Sequence, residues 1–423
     1  MTKRQADVVV VGGGLIGAWT AFFLARRGRK VVLIEKGVVG AQSSGTNFGN
    51  LRLQGRFPGQ YPLSLRSQAL WEDIENLIGD RCEFHQSGHL YIAFNAAERE
   101  KLEAYAAVSE SYGLTIEHLG PADLTRRYPW LSTRAVAATF SPRDATANPR
   151  LVTPAVARAA KALGVEILEH CTVTHARRDG AGFIVETADG RSFGSDHLVN
   201  SAGAWAGEIA EMFGESAPLF PAGPPQFVTE PFPYFLFPSV QAVDGTVIFR
   251  QIPRGNIILA GYPRTAADPI RNRAPVPPSK TLAAMRHLAA VVPALRHCHV
   301  IRVWSGIEGY LPDMIPVIGP SATTEGLFHA FGFCGHGFQI GPGVGLCLSE
   351  MICDGRTETP LEPFSIARFR GTVAEDEKFR REFDRPAAAE KGGPWARRAS
   401  PSPAAARSIP CAAAPRWPRC PTR

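Results

Sequence analysis

The chain has 423 residues, 45% apolar and 20% charged, which is ordinary for a soluble globule and long enough for two domains with sizeable cores. Its net charge of +7 lies in residues 385–423, where seven Arg and one Lys face one Glu, so residues 1–384 balance at zero and give no electrostatic case for nucleic acid or a membrane surface. No apolar run approaches the ~18 residues of a spanning helix, and eight cysteines without a C-x-x-C pair read as reduced thiols of a cytoplasmic protein.

The first element is an apolar strand, Val8 to Val11, too short for a secretion signal because it leads straight into Gly12-x-Gly14-x-x-Gly17. A helix is predicted over Ala18 to Arg27, Gly28 ends it, and Val31 to Glu35 forms the next strand. Each glycine has its own task in such a unit. Gly12 makes the tight turn, Gly14 lets the backbone approach a pyrophosphate, and Gly17 lets the helix pack on the strand. The helix N-terminus then favours the anion with its free N–H groups and dipole. Glu35, at the end of the second strand, is placed to accept hydrogen bonds from ribose hydroxyls, with Lys36 beside it. The unit reads as a site for an adenine dinucleotide; FAD and NAD both remain open here.

Further along comes a Gly/Ser-rich stretch, Gly40 to Arg52, holding Ser43, Ser44 and Asn47. On composition it reads as a solvated linker, but its place directly after Glu35 argues for a loop that wraps the diphosphate. Gly88 to Phe94 is strand-like and Ala96 to Tyr112 helical. Two strands are expected in Gly164 to Val173 and in Asp196 to Trp205, the latter ending in Ala202-Gly203-Ala204-Trp205. Between 217 and 304, the runs Phe232 to Phe237, Val247 to Gln251 and Ile257 to Ala260 read as an antiparallel sheet. His297 and His299 flank Cys298 but have no second ligand pair, so a polar turn is the expectation and no metal site is assigned. Near the end, Trp304-Ser-Gly-Ile-Glu308-Gly-Tyr310-Leu-Pro-Asp313 precedes a second glycine loop, Gly332 to Gly345, with His336, Gly337, Phe338 and Gln339 inside it. An apolar helix pattern (Val344, Leu346, Leu348, Met351, Ile352) follows.

Over about residues 5 to 372, these motifs in this order resemble the flavoprotein family that contains D-amino acid oxidase, glycine oxidase and sarcosine oxidase. The Trp-Ser-Gly-x-Glu and Gly-His-Gly-Phe-Gln pattern is most similar to the flavin subunits of multi-subunit dehydrogenases such as hydrogen cyanide synthase, opine oxidase and hydroxyproline dehydrogenase. The resemblance implies an α/β fold with a Rossmann-like FAD-binding domain (5–81, 145–216 and 305–372) and a discontinuous, antiparallel-sheet substrate domain of α+β type (82–144 and 217–304). It implies FAD held by Gly12, Gly14, Gly17, Glu35, Lys36, Ser43, Ser44, Asn47, Val173, Ala202, Gly203, Trp205, Gly335, Gly337, Phe338 and Gln339. The implied reaction oxidises the C–N bond of a small amino or imino acid by hydride transfer to flavin N5, and water hydrolyses the imine. Hydroxyproline, proline and opine-like acids come first as substrates, glycine and sarcosine next. Companion subunits that accept electrons are implied too, with any membrane association peripheral and through them.

The departures from the family pattern carry as much weight. Glu308 stands where relatives place a carboxylate-clamping arginine, and a carboxylate cannot make that bidentate pair. Arg52 or Arg250 is therefore the expected anion anchor, or else Glu308 receives the substrate amine. Gly306 occupies the position of a flavin-linking cysteine, which implies non-covalent FAD. Gln339 replaces a carboxylate-binding lysine, Pro263 a pocket histidine, and no lysine occurs between Lys161 and Lys280. A flavin without a nearby cation lacks help in reducing oxygen, so a dehydrogenase is favoured over a true oxidase. A non-catalytic flavin-carrying subunit is the other alternative. His336 reads as a base near the flavin or as a packing residue, Tyr310 as a pocket lid or a core tyrosine, and Cys334 chiefly as packing. The Ala/Pro/Arg-rich segment 385–423 is expected to be disordered, through an altered reading frame or as an authentic basic tail.

Overall fold

The computed structural model describes residues 4–261 and 263–383; the segment 385–423 lies outside the described residues. Strand β1, Arg4–Val11, lies at the centre of an eight-stranded sheet, parallel to Ser192–Asn200 on one side and to β2, Val31–Ile34, on the other. Its Val8, Val9 and Val10 are wholly buried, as expected of a parallel strand covered on both faces. Beyond β2 runs Glu166–Leu168, and beyond Ser192–Asn200 run Leu327–Phe331 and the antiparallel Val317–Pro320.

Helix α1, Leu15–Arg26, is buried from Leu15 to Leu24, because other helices, among them Pro149–Ala162 and Gly337–Asp354, pack on it. The last of these corrects the expectation of a glycine loop up to Gly345. The helix begins at Gly337, inside the supposed loop, and takes in Pro342. Its glycines serve close helix packing. A Cβ at Gly345 would stand 2.6 Å from Cβ of Trp19, one at Gly341 2.7 Å from Leu15, and one at Gly343 2.9 Å from Ser67. Burial in these contacts outweighs the poor helix propensity of glycine.

A second eight-stranded sheet runs Val300–Trp304, Gln226–Pro231, Asn256–Gly261, Val247–Gln251, Ser239–Ala242, His89–Ala93, Ala137–Ser141, Glu117–Leu119. It is mixed rather than purely antiparallel, since Ser239–Ala242 runs parallel to His89–Ala93. Phe232 to Phe237 is not a strand. Prolines at 231, 233 and 238 remove ladder donors, and the Gln251 side chain satisfies the segment instead. It accepts from Phe235 N (2.9 Å) and Leu236 N (3.1 Å) and donates to Phe232 O (3.2 Å) and Pro233 O (3.0 Å). A three-stranded patch, Thr265–Ala266, Phe220–Gly223 and Glu308–Tyr310, completes the strands that position the site.

Candidate functional site

One cleft of about 390 Å³ runs from the β1–α1 turn to the second sheet, a volume in the small-molecule range. At its first end the backbone does the shaping. Gly12 has φ +104, and a Cβ there would collide with the carbonyl of Ser201, so glycine is required. Gly14 precedes α1 and faces the cleft; Leu15 N donates to Ser44 Oγ (2.8 Å). Glu35 accepts from Gly13 N and Gly37 N, both at 2.7 Å, so one lone pair of each carboxylate oxygen is left for a hydroxyl. Asn47 braces the loop by donating to Ser44 O (2.7 Å) and accepting from Gly49 N (2.8 Å). Ser43, Val173, Ala202, Gly203 and Trp205 also line this end. Lys36 places its Nζ 2.9 Å from the Trp205 ring centre, and burial pushes its pKa down to about 8.

Two cofactor expectations fall outside the lining. Gly17 meets the backbone of Gly12, where a Cβ would strike the Gly12 carbonyl; its part is the close packing of helix on strand. Gln339 is buried and donates from Nε2 to Ser64 O (2.9 Å). The turn of helix that carries it faces Tyr61–Glu72, while Gly335, His336, Gly337 and Phe338 face the cleft.

Side chains build the other end. The guanidinium of Arg52 is buried, donates from Nη1 to Gln54 O and to Gly55 O (3.0 Å), and lies 5.4 Å from the Tyr91 ring centre. Its loop is held by Gln54, whose Nε2 donates to His89 O (2.8 Å) and whose Oε1 accepts from Thr139 (2.9 Å). Glu308 faces the cleft with Oε1 accepting from Gly335 N (2.7 Å) and Oε2 accepting from Tyr310 (2.6 Å). Tyr310 itself is wholly buried behind Glu308 and does not line the cleft, so it positions the carboxylate rather than closing over substrate. Arg250 is also corrected. Its guanidinium donates to Phe48 O (3.1 Å) and Ala147 O (3.3 Å) and lines a separate hollow with Tyr234 and Phe237. Cys334 is buried, with its thiol donating to Gly332 O (3.0 Å).

The sequence reading missed Arg56 and Arg264, both buried and both lining the cleft. Arg56 could have been suspected from the Arg52-x-x-x-Arg56 spacing just past the loop. Arg264 follows Pro263, the position singled out for its missing histidine. With Arg52 and Lys36, these two arginines give the cleft four cationic side chains, so the absence of lysine between Lys161 and Lys280 does not leave it without positive charge.

The residues present fit a flavin dinucleotide. The cradle at Gly12 and Gly14 would be filled by any Cβ-bearing chain, and the N-termini of α1 and of the Gly337–Asp354 helix both open on the same cleft. A family model described as "FAD dependent oxidoreductase" (DAO) matches residues 7–351. Glycine oxidase of Geobacillus kaustophilus (strain HTA426) is 29% identical over 383 residues, 88% of this chain and 99% of that protein. Sarcosine oxidase subunit beta of Rhizobium meliloti (strain 1021) is 28% identical over 388 residues, 89% of this chain and 91% of that protein. The crystal structure of L-proline dehydrogenase from P. horikoshii superposes with a TM-score of 0.81 at 27% identity, covering 87% of this chain and 99% of that one.

Proposed function

The chain belongs to the DAO family of FAD dependent oxidoreductases, and from that premise we propose that it oxidises the C–N bond of a small amino or imino acid carrying a carboxylate. FAD, when bound, supplies the two-electron oxidation. The observation that carries the substrate reading is the pairing, in one cleft, of the buried Arg52 guanidinium with the Glu308 carboxylate. Arg52 keeps Nε and Nη2 for an anion, and its rigid fork suits a carboxylate. Glu308 is fixed by Gly335 N and Tyr310 and can receive the substrate's ammonium or hold its proton. Ile248, Ala260 and Phe48 line the same cleft and add apolar surface that disfavours water there.

The glycine cradle, Glu35 and the Ser43–Asn47 loop hold the dinucleotide in this reading, without a covalent link. The first sheet, with its helices, forms the FAD-binding domain and the second sheet the substrate domain. Companion subunits are inferred from the relative that is itself a sarcosine oxidase subunit. A reducing compartment is inferred because all six described cysteines are free thiols; among the described residues no helix is long and apolar enough to cross a membrane.

The test is anaerobic bleaching of the ~450 nm flavin band on adding D- and L-proline, hydroxyproline, opines, glycine and sarcosine in turn. Bleaching by one series supports the reading, and a cofactor that none of them bleaches points to a flavin-carrying subunit. Fast recolouring in air marks an oxidase, slow recolouring a dehydrogenase.

A further inference from the structure

We propose that the substrate carries two carboxylates, one received by Arg52 and the other by Arg56, an inference that takes the amine-oxidising reading of this cleft as its basis. The left-handed turn at Gly55 (φ +64) brings the two arginines together, and Arg56 Nε donates to the carbonyl of Arg52 at 2.8 Å. Both side chains line the cleft, and both residues are more than nine-tenths buried, with 8% and 7% of their surface exposed.

The donor inventory is lopsided. Arg52 spends only Nη1 on protein acceptors, and Arg56 only Nε. Among the described residues, Nε and Nη2 of Arg52 and both terminal nitrogens of Arg56 meet no protein acceptor. Among those residues neither guanidinium has a carboxylate partner within ion-pair distance. Asp144, the acid whose charge both arginines feel, accepts from Ser141 Oγ on Oδ1 at 2.7 Å and from the backbone of Leu53, and it makes no ion pair with either arginine among the described residues. Two like charges buried side by side with no ion-paired carboxylate are held at a cost, which shows in Arg56: burial first and the charge of Arg52 second push its pKa down to about 9.

One carboxylate offsets one of these charges. A second carboxylate offsets the other and uses the remaining donors, while Glu308 in the same cleft takes the amine. The chemical class is therefore an N-carboxyalkyl amino acid or an acidic amino acid.

The experiment uses the holoenzyme under anaerobic conditions and matched pairs that differ by one carboxylate: sarcosine against iminodiacetate, and D-alanine against D-aspartate. Thiodiacetate against (methylthio)acetate gives a pair that cannot be oxidised, read as a Kd from perturbation of the flavin spectrum. The dicarboxylate of each pair is expected to bind at least about tenfold tighter, and Arg56→Met to bring the ratio close to one. Arg56→Lys, which keeps a charge, covers the case of a misfolded Arg56→Met and should retain part of the preference. Equal affinity within the pairs in the wild-type enzyme, or a preference that survives Arg56→Met, overturns the proposal. A thiodiacetate preference that depends on Arg56 while no amine bleaches the flavin keeps the dianion site and removes the amine-oxidising reading.

Discussion

At the Gly12 end of the cleft the groups offered to a ligand are backbone N–H groups and bare Cα atoms, whereas at the Arg52 end they are long side chains from segments far apart in the chain. At the first end the side chains are braced by their own neighbours: Glu35, Ser44 and Asn47 each bond to the loop they shape. The second end leaves four guanidinium nitrogens of Arg52 and Arg56 without acceptors among the described residues. A satisfied polar network rigidifies, and an unsatisfied one waits for a ligand. The cluster of buried His329 and Glu215 with Ser321 belongs with the first kind: His329 Nε2 and Glu215 stand 2.7 Å apart, Ser321 donates to the same carboxylate at 2.6 Å, and none of the three lines the cleft.

The contrast can be broken at either end. Gly12→Val has the largest expected effect, since a side chain there collides with Ser201 and is strained at positive φ. The variant should purify without FAD, and a yellow protein with the normal 450 nm to 280 nm ratio would contradict the backbone cradle. Arg52→Met comes next. Removing one buried charged donor from a ligand carboxylate costs ~3 kcal/mol, on the order of 200-fold in apparent Kd, with FAD content unchanged; anaerobic titration with the bleaching substrate measures it.

The third prediction concerns pH. Burial, only partly offset by the Ser141 and Leu53 hydrogen bonds, pushes the Asp144 carboxyl up to about 6 from its ordinary 3.8. The folded state then binds the proton more tightly than the unfolded chain, so this group's contribution falls as pH rises through the window from about 4 to 6, by about 2 kcal/mol. Asp144→Asn should remove that slope, and urea midpoints at pH 4.5 and 7.5 for both proteins would reveal it. The smallest effect belongs to Tyr310→Phe, which takes one donor from Glu308 and should lower kcat/KM about fivefold, ~1 kcal/mol. Placed on Glu308→Gln the same change should do little more; full additivity in the double variant would mean that Tyr310 does not act through Glu308.

Much of this division was readable in the chain itself. The register of β1, α1 and β2 was legible because buried parallel strands are apolar throughout and because glycines at 12 and 14 have few other uses. Gln339 and Gly345 misled. Glycines that permit close helix packing look the same in sequence as glycines of a loop, and only the proximity of Trp19 and Leu15 tells them apart. Phe232 to Phe237 misled for a similar reason, since the Gln251 side chain that satisfies its backbone is on another strand.

The sequence by itself determined the glycine turn between β1 and α1, the order of the motifs and the family, because each is written in residues close together whose φ, periodicity and hydrogen bonding are local. The tertiary structure decided which charges share the cleft. It turned Arg250 and Gln339 away, set Tyr310 behind Glu308, and brought Arg56 and Arg264 in. Those outcomes depend on how two sheets and the helices between them pack across hundreds of residues, and a side chain's direction there is fixed by its neighbours in space rather than in sequence.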